Sequence, residues 1–142
     1  MKKIFFLIAM CTNFIYASAY RIEYGNNVSI TKPVYEDVYI AGGTVTIGAP
    51  IYGDLIIAGG TIIINDTVTN DILLAGGTVT FNGFAGDDIR CAGGNIYISK
   101  NVNGDVVITG GNVIINKGVT IGGLLGSGGN ITVDGDVNGE IR

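Results

Sequence analysis

The sequence predicts an all-β chain wound as a single-stranded parallel β-helix of 17-residue coils. Three observations carry that expectation. The pair Gly-Gly falls at 42–43, 59–60, 76–77, 93–94, 110–111 and 128–129, in steps of 17, 17, 17, 17 and 18 residues. Fixed spacing over such a span is the mark of one short unit stacked on itself. Each unit holds apolar-alternating runs separated by Gly, Asn and Asp, which is strand and turn chemistry. Past the extreme N-terminus no window keeps a 3.6-residue period long enough for a helix. A unit of this length is also too short for a strand, a helix and a return. One coil therefore reads as about three short strands and three tight corners, a triangular section.

The first element is a charged and apolar start. Residues 1–19 read as an export signal: Lys2 and Lys3, then the apolar stretch from Ile4, then Ala17-Ser18-Ala19 as a small-residue cleavage site that leaves Tyr20 first. Lipoprotein processing at Cys11 is the rival reading, but Met10 stands where a small residue is wanted. The expected location is outside the cytoplasm: periplasm, outer surface or medium. No later segment offers the roughly 20 apolar residues of a spanning helix.

Residues 20–36 read as an N-terminal capping coil. Projecting the register backwards sets Arg21 and Glu23 at positions that are apolar in later coils, a polar first half-coil of the kind that closes a repeat stack. Residues 37–142 are the repeats proper. Val28, Val45, Ile62, Val79, Ile96, Val113 and Ile131 occupy one place in successive units. Ile30, Ile47, Ile64, Phe81, Ile98, Ile115 and Val133 lie two residues on and share their face. Val38, Leu55, Ile72, Ile89, Val106, Leu124 and Ile141 form a second side, with Ile40, Ile57, Leu74, Cys91 and Ile108 beside them until Gly126 interrupts. A third side carries Val34, Ile51, Val68, Ala85, Val102 and Val137. Stacked at strand spacing, these columns make one continuous dry core.

The corners are polar. The residue after Gly-Gly is Thr44, Thr61, Thr78, Asn95, Asn112 or Asn130, a column able to hydrogen-bond along the stack. Asp37, Asp54, Asp71, Asp88 and Asp105 mark another corner, which like charges force to face water and where Asp can bond its own turn. The step of 18 predicts one extra residue near Asn116-Lys117-Gly118. At the far end Asn138-Gly139-Glu140-Ile141 starts a new coil: either this coil is open to a partner or the chain is a shortened version of a longer one.

Composition narrows the function. Without Lys2 and Lys3 the chain has six basic against twelve acidic residues and no basic stripe, so nucleic acid is not an expected partner. There is no histidine, which removes the commonest general base and metal ligand and any Ser-His-Asp or Cys-His set. It also argues against the hexapeptide-repeat acyltransferases. Cys91 falls on a core column and reads as a small buried thiol. Asp87-Asp88 with Arg90 reads as a solvated corner with an ion pair. A loose calcium site along the Asp column is its alternative, since carboxylate oxygens suit that ion. The pairs Thr44-x-Thr46 and Thr78-x-Thr80 look like ice-binding pairs, but Ile63, Tyr97 and Ile114 break the array. No catalytic residue, cofactor or metal ligand is assigned.

One outward column points to contact instead. Tyr39, Ile56, Leu73, Val107 and Leu125 alternate away from the core, interrupted by Arg90. With Ile63, Tyr97 and Ile114 they would make an exposed apolar strip, which usually marks a partner surface. Val133 and Ile141 join them as self-association residues at the open coil. The runs Gly53-Asp54-Leu55-Ile56-Ile57 and Gly104-Asp105-Val106-Val107-Ile108, with the 17-residue step, resemble the bactofilin family of polymer-forming bacterial scaffolds over about residues 25–142. The resemblance implies a right-handed β-helix that polymerises end to end without nucleotide. The expected function is a non-catalytic, self-associating scaffold of the bacterial cell envelope, its partner a second copy of itself. The alternative is an exported adhesin or glycan-binding module, with an envelope glycan or a membrane surface as partner.

Overall fold

The computed structural model describes residues 19–142, so most of the expected export signal lies outside the described residues. The strands are β1 (Tyr20–Ile30), β2 (Asp37–Ile47), β3 (Leu55–Ile64), β4 (Ile72–Phe81), β5 (Ile89–Ile98), β6 (Val106–Ile115), β7 (Thr120–Ile121), β8 (Leu124–Val133) and β9 (Asp136–Val137). The long strands form a seven-stranded parallel sheet in the order β1-β2-β3-β4-β5-β6-β8, each pairing with the strand one coil away. That is a β-solenoid, and the pairings follow the repeat: Val38 faces Leu55, which faces Ile72, which faces Ile89.

The coil differs from the expected three short strands. Two sides are one continuous strand bent at Gly-Gly, and the third side shrinks to single bridges, Val34–Ile51–Val68–Ala85–Val102. Gly-Gly is also not a left-handed turn, because among the described residues only Gly25 and Gly118 have positive φ. Its role is steric. A Cβ on Gly59 would stand 2.8 Å from the Gly42 carbonyl oxygen, and one on Gly76 2.7 Å from that of Gly59. The strand bends there only because no side chain stands between consecutive coils.

The core follows the alternation. Ile47, Ile62, Ile64, Leu55 and Ile51 are fully buried, and no polar or charged side chain is buried among the described residues. Two core positions beside the inserted turn, Val119 and Ile121, escape the sequence projection. The third side continues from Val102 to Ile121, whose β7 pairs with β9 at Val137. Ile121 is fully buried, as is Val119. The turn Asn116–Val119, closed by the Val119 N–H on the Asn116 carbonyl at 3.3 Å with Gly118 at φ +82°, inserts residues on that side alone. From Val102 a step of 17 or 18 residues therefore lands on Val119 or Thr120 and not on Ile121.

The aspartate corner is built differently from an isolated turn. Each carboxylate accepts the backbone N–H one coil on: Asp54 N–H to Asp37 Oδ1 at 2.8 Å, Asp71 to Asp54 at 3.2 Å, Asp88 to Asp71 at 3.3 Å, Asp105 to Asp88 at 2.8 Å, and Gly123 to Asp105 at 2.7 Å. Asp is required here as an acceptor that staples coil to coil. Replacing Asp54 with Ala is expected to cost about 1 kcal/mol, because the Asp71 N–H loses its partner. Asp54→Asn keeps an acceptor oxygen and removes like-charge repulsion, so urea unfolding should find it near wild type; equal loss in both variants would refute the staple. The Thr/Asn column is less connected than expected. Among the described residues only Asn130 and Asn112 bond along it, at 3.1 Å, while Asn82–Asn65 and Asn116–Ser99 bond at the corner that follows β4 and β6.

The two ends differ. In the first coil Arg21 and Glu23 stand in register with Val38 and Ile40 and pair with each other at 2.7 Å. Val28, Ile30 and Val34 of that coil are buried. In the last described coil Ile131, Val133 and Val137 are only partly buried against the core.

Candidate interaction surfaces

The outward apolar column exists in the predicted register: Tyr39 faces Ile56, which faces Leu73, and beyond Arg90 Val107 faces Leu125. Tyr39 is 44% exposed, Leu73 51% and Leu125 52%, whereas Ile56 and Val107 are half-buried. Arg90 splits the column in two. Its guanidinium turns to the aspartate corner, 3.5 Å from Asp88 and 3.9 Å from Asp71. Tyr39, Ile56 and Leu73 line a shallow hollow of about 330 Å³ beside the small column Ala41, Ala58 and Ala75. Val107 and Leu125 line another of about 360 Å³ near Glu140 and Arg142.

The column is longer than the sequence reading had it. Ile22 continues it below Tyr39 and is 62% exposed; the same 17-residue projection, run one coil back, would have found it. Tyr20 packs edge-on against Tyr39 with ring centres 6.1 Å apart, and Tyr35 stacks on Tyr52, one coil on, at 4.9 Å. Tyr24 is exposed as well. The expected extension through Ile63, Tyr97 and Ile114 is weaker: they are half-buried, and Thr46, Thr80 and Thr132 interrupt their column, leaving only Tyr97 and Ile114 adjacent.

Val133 and Ile141 lie apart from this column. Val133 pairs with Ile115 on the sheet's second half, partly buried. Ile141 bridges to Leu124 on the first side and is 60% exposed. They belong to the last described coil and not to the flank column.

Cys91 is not an activated nucleophile. Burial pushes the Cys91 thiol up to about 12, so it stays protonated. Asp71, Asp87 and Asp88 bring carboxylate oxygens within 4.8 Å of one another, but Arg90 already supplies a cation against two of them. Among the described residues no helix is long and apolar enough to cross a membrane. Protein-family models, curated proteins and solved structures return no match to the chain.

Proposed function

We propose that the protein is a non-catalytic, self-associating structural solenoid of the bacterial cell envelope, exported with Tyr20 at its mature start. The observation that carries this reading is the exposed apolar column on the flank, where Ile22, Tyr39, Ile56 and Leu73 follow one another in register and Val107 and Leu125 continue it beyond Arg90. Exposed apolar strips of this kind mark contact with another chain. A second copy docked by two-fold symmetry covers both columns at once, so dimers form first. The aspartate staples and the resemblance to polymer-forming scaffolds support a load-carrying role.

Sedimentation of the purified protein tests this. The wild type should be dimeric or larger, and Leu73→Asp or Leu125→Asp should return monomers. Both side chains are exposed, so the charge need not unfold the coil. Val28 is unsuitable as a control because it is buried; exposed Ser29 serves instead. A clean wild-type monomer at high concentration would sink the proposal.

One observation favours the second reading, a surface-binding module. Tyr20, Tyr24, Tyr35, Tyr39 and Tyr52 are all exposed on the first three coils. Aromatic rings with a polar tip suit recognition surfaces. Glycan binding by an undimerised protein would move the function there.

A further inference from the structure

The corner that follows β6 is where the stack takes in extra residues. There Asn116, Lys117, Gly118 and Val119 make the turn that inserts extra residues, with Gly118 in the left-handed region. Insertions in a solenoid tend to map to its binding face. The Asn116 side-chain amide donates to Ser99 Oγ at 2.8 Å, and Asn101 Oδ1 accepts the Thr120 N–H at 2.8 Å, so the turn is pinned to the coil beneath it. The pinned turn shapes a hollow of about 380 Å³ lined by Phe84, Ser99, Lys100, Asn101, Lys117 and Gly118.

Its charge is anomalous for an acidic chain. Lys100 and Lys117 follow Ser99 and Asn116, which bond to each other, so the two ammonium-bearing chains occupy the same corner one coil apart. Like charges on neighbouring strands destabilise each other. All four ion pairs among the described residues use arginine, so neither lysine has a carboxylate partner. An anion between them would relieve the repulsion. The hollow also has an apolar wall: Phe84, one coil below Asn101, is 39% exposed and borders the lysines.

We infer that this hollow binds a saccharide ring bearing an anionic group, with Lys100 and Lys117 on the anion and Phe84 against the ring. The C–H face of a sugar is apolar and packs on an aromatic ring. Ammonium groups bind carboxylate or phosphate as point charges, without demanding one geometry. A cation pair alone would take any anion; the aromatic wall is what selects a ring. The hollow shares no lining residue with the hollows along the apolar column, so it stands or falls separately from self-association through that column.

The test is binding of the purified protein to four immobilised polymers: polygalacturonate, a phosphorylated mannan, neutral dextran and polyglutamate. The charged saccharides should be retained over dextran and polyglutamate, with the retention weakening as salt rises. Which of the two binds better identifies the anion as carboxylate or phosphate. Lys100→Gln with Lys117→Gln should weaken binding on the order of tenfold, and the Lys→Arg pair should restore it. Phe84→Ala should weaken saccharide binding while leaving any residual polyglutamate binding unchanged. All three side chains are on the surface, and unchanged thermal unfolding would confirm that the variants fold. Equal retention of dextran, equal retention of polyglutamate, no retention at all, or variants that bind like wild type would each overturn the inference.

Discussion

Ile64→Asp is expected to abolish cooperative folding, while Ile63→Asp, one residue away, leaves the protein folded. Ile64 is fully buried in mid-stack, between Ile47 one coil below and Phe81 one coil above. A carboxylate there has no polar partner, since the core holds no polar side chain among the described residues. Burying an unpaired polar group costs several kcal/mol, comparable to the whole stability of a small domain. The loss also propagates, because each coil is stabilised chiefly by its neighbours. Ile63 points outward between Thr46 and Thr80, whose hydroxyls can donate to a new carboxylate. Its substitution should cost less than about 1 kcal/mol. Circular dichroism and urea unfolding of the two variants decide the matter: similar losses in both would mean that the inward and outward faces have been exchanged.

The contrast between these neighbours was legible from the sequence, because a fixed repeat turns one correctly oriented residue into a whole column. Val45, Ile62 and Val79 could be aligned without any structure, and so could the outward set from Tyr39 to Leu125. What the repeat could not reveal lies where it is interrupted. Ile121 was missed because the inserted turn adds two residues to one side of the coil and the next corner takes one back, so Val102 meets Ile121 after 19 residues and Val106 meets Leu124 after 18. The hollow at Lys100 and Lys117 was hidden for the same reason: the shape of an inserted turn is not a property of the period. The aspartate column was recognised but misread, since a carboxylate that staples the next coil leaves the same sequence trace as one that caps its own turn. Ile22, by contrast, was within reach of simple projection.

The glycines show most sharply how a period can be read correctly and its cause mistaken. Gly83→Ala is expected to destabilise the protein by about 3 kcal/mol, as overpacking does when backbone must move. Gly118→Ala should cost only about 1 to 2 kcal/mol, the penalty of a Cβ in the left-handed region. Turn chemistry alone ranks them the other way, because Gly118 has φ +82° and Gly83 does not have positive φ. The surroundings reverse the order. A Cβ at Gly118 would meet nothing within 4 Å, whereas one at Gly83 would fall inside the van der Waals envelope of the Asp66 carbonyl oxygen. That oxygen is backbone of the coil below, and it cannot retreat without breaking the stacking of Phe81 on Ile64 two residues before the corner. Gly128 faces the Gly110 carbonyl oxygen in the same way, so Gly128→Ala should behave like Gly83→Ala. Thermal unfolding of Gly83→Ala beside Gly118→Ala separates the two causes. If Gly118→Ala proves the more damaging, backbone conformation and not the contact between successive coils is what reserves the corners for glycine.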